Sequence, residues 1–284
     1  MDSLVSTQWL EDALADADLV VLDATLHLPI TNRDAQAEFL TGHIASARFL
    51  DLASLQDETS EVPAALPRAE QLAQRLSQLG VSPANRIVFY DDSAVKSAAR
   101  AWFLCRACGL SQVSVLDGGL AKWNAEGRAL ETGEAIVEAA PSFELAPAKG
   151  IRFKADMIAN IESRTVQVLD ARDNGRFSGA VEDAIHNLPT GHIPGSCNLP
   201  FVDLFNADGT MKRGDAVQAL LKQSGIDLSK PVTTTCGSGI TASVLLLAFE
   251  LLGHTQTSIY DGSWLEWASD PVTPKATGQG GVHG

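Results

Sequence analysis

The sequence predicts an α/β protein of two lobes of similar design, each a mostly parallel sheet flanked by helices. Three observations predict it. Strand-like and helix-like stretches alternate along the chain, and the same phrases return in the same order about 145 residues apart. The 284 residues, 45% of them hydrophobic, are enough to build two cores of ordinary size.

The first copy opens with a helical pattern around Gln8 to Ala15 and runs into Leu19-Val20-Val21-Leu22-Asp23, a buried-strand phrase ending in an acid. That phrase returns as Val166-Gln167-Val168-Leu169-Asp170. Gly42-His43-Ile44 and then Arg48-Phe49-Leu50 follow the first; Gly191-His192-Ile193-Pro194-Gly195 and then Asn198-Leu199-Pro200 follow the second. A helix from Ala69 to Leu79, stopped by Gly80, precedes a strand from Arg86 to Tyr90. A helix from Ala216 to Ser224, stopped by Gly225, precedes a strand from Val232 to Thr235. The step from Asp117 to Trp123 equals the step from Asp261 to Trp267. The expected domains are 1–135 and 150–276. Residues 136–149, with Pro141 and Pro147, form the linker, and 277–284 a glycine-rich tail.

Charge and composition exclude several classes. A net charge of −14 and the lack of any basic run argue against a nucleic-acid partner. The longest apolar stretch, Val244 to Leu252, is too short to span a bilayer, so no membrane association is expected. The acidic N-terminal segment does not read as a secretory signal, and the expected location is cytoplasmic. Four cysteines in that setting read as reduced thiols. Cys105 and Cys108 form a C-x-x-C inside an apolar helical pattern with no second ligand pair, so packing is expected there, and neither a metal nor a cofactor is expected anywhere. Cys197 reads as a buried strand cysteine, with a peroxide-induced disulfide to Cys236 as the redox alternative.

The chemistry concentrates in Pro231 to Gly253. A β-branched run ends in Cys236, the turn Gly237-Ser238-Gly239 follows, and an apolar run long enough for four helical turns comes next. A cysteine where a helix begins meets unpaired N–H groups and the positive end of the helix dipole, both of which favour a thiolate. Glycines let those N–H groups curl round one point. At the matching place in the first copy the chain reads Asp91-Asp92-Ser93-Ala94, so one lobe carries the nucleophile and the other an acid. A phosphate-handling loop of this type needs an arginine six residues on, where this chain has Ala242, so the cradle suits a monoanion and points to sulfur transfer.

The whole chain resembles the tandem-domain rhodanese superfamily. Cys236-Gly237-Ser238-Gly239-Ile240-Thr241 is similar to the active loop of its 3-mercaptopyruvate sulfurtransferases, whereas thiosulfate-specific members carry basic residues there. The resemblance implies that Cys236 takes sulfane sulfur from a small thiol donor as a persulfide and passes it to cyanide or to a thiol acceptor such as thioredoxin. It implies a donor site made of Gly237, Gly239, Ile240 and Thr241 with Arg176, which would bind the donor's carboxylate or carbonyl. Ser238 would hydrogen-bond the donor's thiol or enolate oxygen, or cap the following helix. The family's second arginine falls on Ile185, beside His186 and Asn187, and its first-lobe Asp and His fall on Ala53 and Ala64. His186, Asp51 and Arg68 are the stand-ins within reach of that pattern. Thiosulfate turnover, or a sulfur-carrier module with little donor turnover, are the alternatives. His43 and His192 read as structural.

Overall fold

The computed structural model describes residues 1–135, 137–183, 185 and 187–281. It forms two compact units. One comprises Met1–Asp57, Leu66–Lys149 and Asn206–Met211; the other comprises Glu58–Ala65, Gly150–Phe205 and the chain from Lys212 onward.

The first unit is built on a five-stranded sheet in the order Leu4–Val5, Val113–Leu116, Arg86–Tyr90, Leu19–Asp23, Arg48–Phe49, with every pairing parallel. The second has the order Ile151–Arg152, Thr257–Tyr260, Val232–Thr235, Gln167–Asp170, Cys197–Asn198, again all parallel. Strand for strand the two orders are the same, as the repeated phrases predict. Beyond Arg86 at the edge of its strand, the residues of the central strands are apolar or β-branched because a parallel sheet is covered on both faces.

Sequence pattern sorts the helices. Ala69–Gln78 buries Leu72, Ala73 and Leu76 along one stripe and keeps Glu70 in its first turn and Arg75 in its last. Asp215–Gln223, its counterpart, buries Val217 and Leu221. Ala98–Ala107 and Ala242–Leu251 are apolar nearly all round and lie buried from Ala98 to Cys105 and from Ala242 to Phe249. A helix without a polar face has to be central.

The repeat extends to side chains. His43 stacks on Phe39 at 3.9 Å and His192 on Phe177 at 3.9 Å. Each imidazole places Nδ1 2.8 Å from the carbonyl of its aromatic partner. Burial pushes the His192 pKa down, so the ring is neutral and structural. Trp123 donates its indole N–H to the Ala129 carbonyl, and Trp267 donates to that of Pro274. Among the described residues no helix is long and apolar enough to cross a membrane.

Candidate active site

Cys236 directly follows the strand Val232–Thr235, whose last residue pairs with Asp170 at the end of the neighbouring strand. The carboxyl ends of two central strands therefore meet beside it, where parallel α/β sheets hold their ligands. The Gly239 N–H donates to Sγ at 3.1 Å, and Gly239 adopts φ +80°, a backbone region that favours glycine. The Tyr260-Asp261-Gly262-Ser263 turn fixes the loop from the other side. Cys236 N–H donates to Ser263 Oγ at 3.2 Å, Trp264 N–H to the Cys236 carbonyl at 3.0 Å, and Leu265 N–H to the Gly237 carbonyl at 2.8 Å. The Asp-Gly phrase that recurs in both copies thus serves as a clamp on the cysteine loop.

Two expectations change. The helix starts at Ala242 and has ten residues, so the whole loop Cys236 to Thr241 stands between the cysteine and the first helical turn. Turn bonds from Ser243 N–H to the Ile240 carbonyl and from Val244 N–H to that of Thr241 lead into the helix, while Ser243 Oγ donates to the Gly239 carbonyl at 3.0 Å. Ser238 does not cap this helix. The cap position is Thr241, with helical φ and ψ and no side-chain bond. Ser238 is partly exposed, and its hydroxyl has no hydrogen-bond partner among the described residues. Gly237 and Gly239 are buried, Ile240 and Thr241 partly exposed, and Cys236 itself only 2% exposed. The loop closes round the sulfur more tightly than a freely reachable nucleophile would require.

Arg176 sits on the five-residue helix Asn174–Ser178, whose cap, Asp173, accepts from its backbone N–H. The guanidinium is already engaged: Nε lies 2.5 Å from Asp173 and Nη1 3.8 Å from Asp183, a carboxylate that is itself buried. Ile185, which occupies the second-arginine position, donates its backbone N–H to Asp183 at 3.2 Å. His186 lies outside the described residues. Asp51 accepts from the Ala53 and Ser54 amides, and Arg68 pairs with Asp57 at 2.6 Å, so both have local structural work.

Sequence reasoning missed Arg172. It is 1% exposed, paired with the equally buried Asp170 at 2.6 Å, and donates to the Gly191 carbonyl at 2.8 Å. The signal was readable in the repeat: Asp170-Ala171-Arg172 stands where the first copy has Asp23-Ala24-Thr25. The change of residue type accompanies the change from Asp91 to Cys236.

The remaining thiols are unsuited to nucleophilic work. Burial raises the pKa of Cys105 and of Cys108. Cys197 pairs with Leu169, which pairs with Thr234. Two ladder spacings put Cys197 about 9 to 10 Å from Thr234 Cα to Cα. Cys236 lies two residues farther, beyond the roughly 7 Å that a disulfide spans. The redox alternative falls on that geometry.

In the first unit Asp91 occupies the cysteine position and accepts from Ala98 N–H at 3.2 Å, with the Ser97 hydroxyl also at 3.2 Å. Burial pushes its pKa up to about 6. An unfolded aspartate titrates near 3.8. Between those values the folded chain keeps a proton that the unfolded chain has released, so the contribution of Asp91 to stability is lost as pH rises from about 4 to about 6. By linkage the loss totals about 3 kcal/mol. Asp91→Asn should therefore gain on the wild type in urea unfolding between pH 4.5 and pH 7, with the difference levelling above that; a pH-independent difference would refute the assignment.

A rhodanese-like domain model matches residues 6–126 and again 154–270. The chain belongs to the rhodanese family. Over 292 residues it is 39% identical to the 3-mercaptopyruvate sulfurtransferase of Homo sapiens, an alignment covering 99% of this chain and 97% of that protein. It is 37% identical to the thiosulfate sulfurtransferase of Gallus gallus over 93% of each. The crystal structure of SseA, a 3-mercaptopyruvate sulfurtransferase of Escherichia coli, superposes with a TM-score of 0.84 at 34% identity, covering 93% of this chain and 99% of that one. As a rhodanese, the chain keeps its cysteine in the second repeat and carries Asp91 in the first.

Proposed function

We propose that this protein is a sulfurtransferase that moves sulfane sulfur from a small thiol donor, 3-mercaptopyruvate by preference, to a thiol or cyanide acceptor through a Cys236 persulfide. The observation that carries the reading is Cys236 at the end of its strand with the Gly239 N–H on Sγ. The thiolate attacks the donor's sulfur, the donor's C–S bond breaks, and its electron pair leaves on the enolate of pyruvate, which takes up a proton. An acceptor thiolate or cyanide then attacks the outer sulfur and frees Cys236. The scheme is ping-pong.

In this reading Gly237, Gly239, Ile240 and Thr241 shape the donor pocket, Ser238 offers its hydroxyl to the donor, and Arg176 meets the donor's carboxylate or carbonyl. The relatives named for 3-mercaptopyruvate support that donor. His186 belongs to the same proposal as the stand-in for the second arginine. A two-domain plan of 1–135 and 150–276, a cytoplasmic location and thioredoxin as the thiol acceptor complete it.

A second reading is favoured by one observation. Arg176 already faces Asp173 and Asp183, and Ile185 supplies no charge, so a donor carboxylate has to compete for the guanidinium. That favours a higher KM for mercaptopyruvate, thiosulfate as the working donor, or a carrier that accepts sulfur from a partner's persulfide. Initial rates with mercaptopyruvate and with thiosulfate, each with cyanide and with a dithiol acceptor, decide among these. The expected result is faster turnover with mercaptopyruvate and an added mass of about 32 Da, one sulfur atom, on the Cys236 peptide. If neither donor adds it while the thiol alkylates, the enzymatic reading fails and the carrier remains.

A further inference from the structure

We infer that Ser263 and Ser243 are positioning residues of the sulfur-transfer reaction, two hydroxyls that hold the cysteine loop at Cys236 and at Gly239 so that Sγ is presented to the donor. The inference rests on Cys236 being the nucleophile. Both serines are fully buried, so neither is a donor ligand.

The bonds are direct. Ser263 Oγ accepts the Cys236 N–H at 3.2 Å and donates its own proton to the Tyr260 carbonyl at 2.8 Å. A hydroxyl has one proton, so the Tyr260 bond turns a lone pair toward the cysteine amide. Ser243 Oγ donates to the Gly239 carbonyl at 3.0 Å, and Gly239 is the residue whose N–H reaches Sγ at 3.1 Å. The two hydroxyls therefore fix the residue that carries the sulfur and the residue that bonds it. Ser263 does so from a strained backbone. Among the described residues seven non-glycine residues have positive φ, and Ser263, at +50°, is the buried one of them. Such a conformation persists only where its surroundings hold it, and residues of this kind cluster at functional sites.

The first unit supplies the comparison. Its turn Asp117-Gly118-Gly119 matches Asp261-Gly262-Ser263, and Gly119 has φ +59°. Both turns make the same backbone bond to the residue in the cysteine position: Leu120 N–H donates to the Asp91 carbonyl at 3.0 Å, and Trp264 N–H to the Cys236 carbonyl at 3.0 Å. That bond is what the repeated scaffold needs. Glycine is the unstrained residue for such a turn, and in the first unit it is also the one that fits, because a Cβ on Gly119 would come within 2.5 Å of the Asp91 carbonyl oxygen. The helix after the loop opens Ala98-Ala99 in the first unit and Ala242-Ser243 in the second. Both hydroxyls are thus present in the copy that carries the sulfur and absent from the copy that carries the acid, although the same fold closes without them.

The test compares Ser263→Gly, Ser263→Ala and Ser243→Ala with the wild-type full chain. Three quantities are read: kcat/KM with each donor the wild type uses, thermal unfolding, and amide hydrogen exchange of the peptide from Cys236 to Thr241. Both changes at 263 remove the hydroxyl, but only glycine relieves the left-handed backbone, so Ser263→Gly should unfold at a higher temperature than Ser263→Ala. The two should nevertheless lose the same factor in kcat/KM, about tenfold or more, and the same factor with either donor, because what moves is the nucleophile. Ser243→Ala places a good helix former in a helix; it should keep the wild-type unfolding temperature and still lose about threefold or more. Exchange of the loop peptide should be faster in all three variants. Activity that follows stability, with Ser263→Gly near the wild type and Ser263→Ala low, would make Ser263 a scaffold residue and overturn the inference for it. Turnover of Ser243→Ala within about twofold of the wild type overturns it for Ser243. If Ser263→Ala does not fold, Ser263→Gly decides alone, and turnover within about twofold of the wild type again overturns the inference. Hydrogen exchange needs no donor. Variants that exchange faster, beside a wild type that takes no sulfur from mercaptopyruvate or thiosulfate, leave the serines as holders of the loop and remove the sulfur-transfer reading instead.

Discussion

Cys236→Ser is expected to abolish sulfur transfer from every donor, with initial rates down at least about a thousandfold. The physical reason is twofold. A serine hydroxyl is un-ionised at neutral pH and forms no persulfide, so the covalent half-reaction has no carrier. No other thiol can take over: Cys105 and Cys108 are buried with raised pKa values, and Cys197 is buried on the edge strand. The fold should survive, because the oxygen can still accept from the Gly239 N–H and the clamp from Ser263, Trp264 and Leu265 acts on backbone atoms. Thermal unfolding of the variant checks that. Turnover within tenfold of the wild type, or sulfur found on one of the other three cysteines, would remove Cys236 from the mechanism.

The largest stability effect is expected at Asp170. Both members of the Asp170 and Arg172 pair are 1% exposed. Asp170→Ala leaves the guanidinium buried without its counter-charge, which costs about 3 to 5 kcal/mol. The matching substitution in the first unit should cost less. Asp23 has no arginine, burial raises its pKa, and change to Ala removes neutral hydrogen bonds, those from the Thr25 amide and hydroxyl and the one with Tyr90, about 1 to 3 kcal/mol. Urea unfolding of the two variants side by side measures the difference. Equal losses would mean that the Asp170 and Arg172 pair does no more for its unit than an ordinary hydrogen-bonded acid does for the other.

The two readings of position 238 show how local sequence can leave a question open. A serine two residues past the cysteine fits both a helix cap and a donor contact, since both need only a short hydroxyl near a loop. The helix begins at Ala242, too late for Ser238 to cap it, and its hydroxyl has no partner among the described residues. Arg176 shows the reverse. Its place in the Asn174-Gly175-Arg176-Phe177 phrase marks it as a donor ligand by resemblance, but the phrase is silent on Asp183, seven residues on, which competes for the guanidinium. Arg172 was visible only by setting the two copies against each other, because a single Asp-Ala-Arg carries no distinguishing pattern.

By itself the sequence determined the duplicated α/β plan, the parallel sheets and the one cysteine poised at a strand end. Those follow from apolar periodicity, glycine stops and repeated order, which are properties of neighbouring residues. Only the tertiary structure decided which atoms face that sulfur. Cys236 and the turn at Ser263 and Trp264 lie more than two dozen residues apart in the chain and meet because neighbouring strands end together, so the Gly239 amide and the turn that clamps the loop become one site through packing rather than through any local motif.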